Sequence, residues 1–117
     1  MRFNLLIFFI SFLLLGCDQQ LTLNGENKQL LRSSIAEVRD SLSFEKQQRF
    51  DEAIDITMFN SINFDEYCQI GEIAATKALE KRICRTLHGK TAEQVINEAK
   101  KINRLAFDKN RALGLNN

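Results

Sequence analysis

The chain has 117 residues, with 16 Lys and Arg against 15 Asp and Glu, and a formal net charge of +1. It contains no Pro, no Trp and five Gly. That length allows one domain with one modest core, and the near balance of charge gives no reason to expect nucleic acid as a partner.

The N-terminus is the most strongly patterned stretch. Arg2 supplies a single positive charge, and Leu5 to Leu15 follow as eleven residues of which only Ser11 is polar. Gly16 and Cys17 close the run, and Asp18-Gln19-Gln20 ends it abruptly. A basic start, an apolar middle and a small residue at the end are the order of a secretory signal. A spanning helix needs about 20 apolar residues to cross ~30 Å of hydrocarbon. Eleven residues reach only about 17 Å.

Leu14-Leu15-Gly16-Cys17 resembles the lipobox of bacterial lipoproteins. The resemblance implies that residues 1–16 are removed as a signal peptide and that the Cys17 thiol carries a diacylglycerol, with the new amine also acylated. One acyl chain alone anchors only marginally, at ~0.8 kcal/mol per buried CH₂, whereas two or three on one residue hold a domain at the bilayer. The alternative is an uncleaved signal anchor. Asp18 directly follows the cysteine, and in the enterobacterial sorting rule that residue retains a lipoprotein in the inner membrane. The expected location is therefore the periplasmic face of the inner membrane, with the outer membrane as the other choice.

Cleavage before Cys17 leaves 101 residues. They are rich in Glu, Lys, Leu, Ala, Ile and Gln, an all-α composition, and a bundle of three to four helices is expected. Residues 17–25 are read as the lipidated cysteine and its tether, 26–114 as the helical domain and 115–117 as a frayed tail. The eight tether residues after Cys17, ending in the turn signal Asn24-Gly25, would span about 16 Å as a flexible chain.

The first helix is expected from Glu26 to about Leu42, with Leu31, Ile35, Val38 and Leu42 on one apolar stripe. Ser43 offers an N-cap, with Glu45 in the first turn of a second helix running from Phe44 to about Ile62. Phe50, Ala53, Ile54, Thr57, Met58 and Ile62 are its inward positions. The short junction predicts an antiparallel hairpin. Asn63-Phe64-Asp65-Glu66 reads as another cap, opening a short helix to about Ile70 that Gly71 breaks. The third main helix is placed from Glu72 to about His88, with Ile73, Leu79, Ile83, Cys84 and Leu87 as core candidates. Gly89 suits a left-handed C′ position. Thr91-Ala92-Glu93-Gln94 is a capping box, and the helix it opens carries Val95, Ala99, Ile102 and Ala106 on one stripe.

The charges are unevenly spread. Residues 18–66 hold ten acids and five bases, and residues 67–117 hold five acids and ten bases. Either the two halves complement each other in packing, or a basic C-terminal face turns toward anionic headgroups or an acidic partner.

Three segments together carry a family resemblance: Asn24-Gly25, Phe50-Asp51-Glu52-Ala53 and the run Leu87-His88-Gly89-Lys90-Thr91-Ala92-Glu93-Gln94-Val95-Ile96. They are similar to a family of small gammaproteobacterial lipoproteins that is known as a domain of unknown function. The resemblance implies fold and location, and brings no catalytic residues.

The remaining candidate chemistry is thin. Cys68 and Cys84 lie in a compartment that permits disulfides. On one continuous helix they would stand about 24 Å apart, so a bridge would require Gly71 to fold the short helix back; the alternative is two separate core thiols. Cys84 and His88 have the i, i+4 spacing of helix-borne metal ligands, but no second pair completes a site. Asp51, Glu52 and Asp55 read as a solvated helix face. Gly89-Lys90-Thr91 lacks the upstream glycines and strand of a phosphate-binding loop and reads as an interhelical turn. No cofactor, metal or small-molecule substrate is expected, and no enzymatic activity.

Two functions fit these expectations. One is a membrane-tethered, non-catalytic interaction module for an envelope protein, with Phe59, Phe64 and Tyr67 as surface candidates. The other is a structural or stress-related envelope lipoprotein that acts on the anionic bilayer through Lys77, Lys81, Arg85, Lys100 and Arg104 on one shared face.

Overall fold

The structure, a computed structural model, describes residues 20–115. Residues 1–16, read above as a signal peptide, Cys17, Asp18 and the last two residues of the tail lie outside the described residues. The described chain is all-helical, with five helices and no strand. They are α1 (Lys28–Asp40), α2 (Phe44–Asn60), α3 (Phe64–Ile70), α4 (Glu72–Leu87) and α5 (Ala92–Ala112). Among the described residues no helix is long and apolar enough to cross a membrane.

Local chemistry sets the starts. Asn27, Ser43, Asn63 and Thr91 each turn a side-chain oxygen toward a backbone N–H of the first turn. These acceptors satisfy donors that the helix itself leaves unpaired. At Thr91 the exchange is reciprocal: its hydroxyl accepts from Gln94 N–H while Gln94 Oε1 accepts from Thr91 N–H at 2.9 Å. Gly71 joins α3 to α4 at φ 82°, and Gly89 follows α4 at φ 75°. Both lie in the left-handed region that glycine enters at no steric cost.

The core lies where α2 meets α5 and α1. Phe50 is fully buried, and Val38, Ala53, Ile54, Val95 and Ala99 close around it. The two long helices run in the same direction: Lys46 and Arg49 share a groove with Glu93 and Ile96, and Glu52 and Ile56 share the next with Ala99 and Asn103. α1 folds back on α2 as a hairpin. Arg39 Nε donates to both carboxylate oxygens of Asp51 at 2.9 and 3.0 Å, and Gln47 Nε2 donates to the Arg39 carbonyl at 3.0 Å. The hydrogen bond first, and then the charge of Asp51, raise the pKa of Arg39 further above its ordinary value.

Three expectations are corrected here. The first concerns the tether. Thr22 bridges Thr91, Leu23 N–H donates to the Lys90 carbonyl at 2.9 Å, and Gly89 N–H donates to the Leu23 carbonyl at 2.8 Å. Leu23 is 1% exposed and belongs to the core. Residues 22–25 are therefore part of the domain, because a single leucine can bury itself without periodic neighbours when backbone bonds hold it in place.

The second concerns α4 and α5. Ile73 is 78% exposed, while Ala75 takes the buried position near the start of α4. Ala106 is exposed as well, and beyond Ile102 every described residue of α5 is exposed. The apolar stripe of α5 continues in sequence, but among the described residues no helix lies against it there.

The third concerns charge. Among the described residues only Arg82–Glu66 joins a base of the C-terminal half to an acid of the N-terminal half. The other interhalf pair, Lys28–Glu80, runs in the opposite sense. Arg39–Asp51, Arg49–Glu45 and Lys90–Glu98 close within one half. Close ion pairing between the halves is thus limited, among the described residues, to one pair of each sense.

Candidate functional site

Two regions of the described surface stand out. The first is a groove between α1 and α4 with a volume of about 660 Å³. Its floor and one end are built by an unusually close contact. A Cβ on Gly25 would lie 2.0 Å from the Cys84 carbonyl oxygen, so only glycine allows the chain entering α1 to lie on the end of α4. Gly25 N–H then donates to His88 Nδ1 at 2.9 Å. That nitrogen acts as the acceptor and therefore carries no proton in this arrangement. Asn24 N–H donates to the buried Ser34 hydroxyl at 2.8 Å, which in turn donates to the Leu31 carbonyl at 3.0 Å. The entry to α1 is held from three sides.

Lys77, Lys81 and Arg85 line the α4 wall of this groove. Spaced i, i+4 and i+8, they occupy one helix face. Among the described residues none of the three has a carboxylate within ion-pair distance. Lys28 on α1 and Glu80 on α4 pair with each other across the groove. Lys100 is elsewhere: it lines the grooves between α2 and α5, near Lys46 and Arg49. Arg104 sits on the exposed part of α5 and lines neither. The five bases expected to share a face therefore do not. Three are together and two are apart, because α4 packs on α1 while α5 packs on α2.

The second region is apolar. Phe59 at the end of α2 and Phe64 at the start of α3 are 70% and 68% exposed, and Tyr67 is half-buried. Leu105, Phe107, Leu113 and Leu115 are exposed along and after the outer part of α5. Arg111 lies over the Phe107 ring at 5.6 Å from its centroid, a cation–π contact within one helix. Phe59, Phe64 and Tyr67 are surface candidates from the sequence, but the exposed outer length of α5 is not.

For Cys68 and Cys84 the sequence leaves open a bridge or two separate core thiols. Cys68 and Cys84 are both free. Cys68 is exposed on α3, whereas Cys84 is half-buried and packs against the core beside Ile83. Gly71 turns α3 back along α4, so that Glu66 meets Arg82 at 2.7 Å, yet the two thiols are not bridged. No group of three or more His, Cys, Asp or Glu is placed to hold a metal ion among the described residues. Asp51 is spent on Arg39, and Glu52 and Asp55 are exposed.

These features define a small all-helical bundle with a cationic groove and an uncovered apolar end. Residues 4–104 match the model of a family of unknown function, DUF6694, and the chain belongs to that family. No curated protein and no solved structure shows a match to it.

Proposed function

We propose that the protein is a lipid-anchored, non-catalytic interaction module on the periplasmic face of the inner membrane. The lipid is borne by Cys17, and Asp18 directs its retention. The observation that carries the interaction role is the apolar surface left along outer α5 and at the α2–α3 corner. Single exposed apolar residues are ordinary, but a run of them on an unpartnered helix marks a binding surface.

The anchoring reading is supported by the lipobox and by how little chain separates it from the fold. Thr22 is bound to Thr91. Four residues lie between it and Cys17, a reach of at most about 18 Å over five extended steps. The folded domain would ride close to the bilayer, with Leu21 and the start of α2 nearest the anchor.

Site-specific photocrosslinking in cells tests the interaction role. A crosslinker at Phe107 or Phe64 is expected to trap a discrete envelope protein, and one at Glu52 is not. Recovery of no adduct at the apolar positions overturns the module reading. The membrane-surface reading keeps Lys77, Lys81 and Arg85 but loses the shared face with Lys100 and Arg104. Equal binding of the protein to anionic and neutral vesicles would reject it.

A further inference from the structure

We propose that the α1–α4 groove is a binding site for an anionic amphiphile, a molecule with a phosphate or carboxylate head and a short apolar tail. The groove has two parts with different chemistry. The wider part, about 660 Å³, is lined by the row Lys77, Lys81 and Arg85 and by His88 at its end. Next to it lies a hollow of about 220 Å³ lined by Leu31, Ile35, Met58 and Ile83, with Arg32 as its one further charged residue beyond the shared Lys28 and Glu80. Lys28, Glu80 and Cys84 border both, so the two form one path that changes from cationic to apolar at the Lys28–Glu80 pair.

The charge favours an occupant of opposite sign. Three cations at i, i+4 spacing repel one another along α4. The carboxylates on the groove wall are Glu26 and Glu80, and Glu80 is already paired with Lys28. An anionic head between Lys77, Lys81 and Arg85 relieves that repulsion and gains charge-assisted hydrogen bonds. The apolar hollow beyond Cys84 then takes the tail, where water makes poor contacts. The size suits a small ligand, since ligand clefts run to roughly 300–1,000 Å³. This site goes beyond the interaction module and does not depend on lipidation of Cys17.

The two free cysteines supply the readout. Cys84 borders the groove, and Cys68, exposed on α3, serves as the internal control. The full chain in phosphatidylcholine nanodiscs is alkylated with iodoacetamide, and each thiol is followed by peptide mass spectrometry. The probes are dihexanoyl phosphatidic acid, dihexanoyl phosphatidylcholine and inorganic phosphate.

At about ten times its dissociation constant the phosphatidic acid is expected to slow Cys84 alkylation by about tenfold and leave Cys68 unchanged, as mass action requires. The K81E/R85E variant is expected to lose that protection, whereas K100E/R104E, with the same charge change elsewhere, keeps it. Equal protection by the zwitterionic probe, or by inorganic phosphate alone, overturns the proposal. So does protection that survives in K81E/R85E, or slowing of Cys68 in step with Cys84.

Discussion

Gly25 lies against the Cys84 carbonyl, and its N–H donates to His88 Nδ1 at 2.9 Å. These contacts join residues far apart in sequence and fix where α1 begins relative to the end of α4. A Cβ at position 25 would meet backbone atoms of Cys84, which no side-chain rotation can relieve. Gly25→Ala is expected to destabilise the domain by about 1–3 kcal/mol, the range for overpacking. His88→Ala, which removes only an exposed acceptor, should cost no more than about 1 kcal/mol. Urea denaturation of both variants checks the order.

The capping box at Thr91 sits beside the strand-like bridge to Thr22, so the start of α5 and the entry segment depend on the same residue. Thr91→Ala is expected to cost about 1 kcal/mol, and Thr91→Ser, which keeps the acceptor oxygen, much less. Hydrogen exchange should show faster opening at Leu23 and Gln94 in Thr91→Ala. Unchanged exchange at Leu23 would separate the two features.

The core depends on one aromatic residue. Phe50 is 0% exposed, and Phe50→Ala is expected to cost about 3–5 kcal/mol. Phe59→Ala, at a 70% exposed site, should stay within about 0.5 kcal/mol. A large loss of stability at Phe59 would mean that the apolar end is covered within the folded chain, which contradicts its role as a binding surface.

Much of this architecture was legible because it is local or periodic. Ser43, Asn63 and Thr91 were recognised as caps from residues within one turn. Leu31, Val38, Phe50, Ala53, Val95 and Ala99 followed from the 3.6-residue period. What the sequence hid depends on contacts distant along the chain. Leu23 lies in a polar stretch and has no periodic partner, so nothing near it announces burial. Ile73 and Ala106 fit their stripes but extend past the helices they would need to touch. The grouping of Lys77, Lys81 and Arg85, and their separation from Lys100, follows from which helix packs on which. A count of charge by halves carries no such information.

Arg82 ties the α2–α3 corner to α4. Its guanidinium donates to the Ser61 carbonyl at 2.6 Å and to Glu66 at 2.7 Å. A planar fork meets both acceptors, whereas an ammonium on a flexible stem does not hold that geometry. Arg82→Lys is expected to lose part of the stability that Arg82→Ala loses, with the alanine variant down by about 1–2 kcal/mol. Thermal melts of the two against the parent chain give the comparison.

The most direct measurement is the intact mass of the protein extracted from membranes of its own host. The expected species is a chain that begins at Cys17 and carries a diacylglycerol with or without a further acyl group. Blocking signal peptidase II should then add the mass of residues 1–16. A mature chain that begins elsewhere and bears no lipid, or one that retains residues 1–16 without any inhibitor, would contradict it.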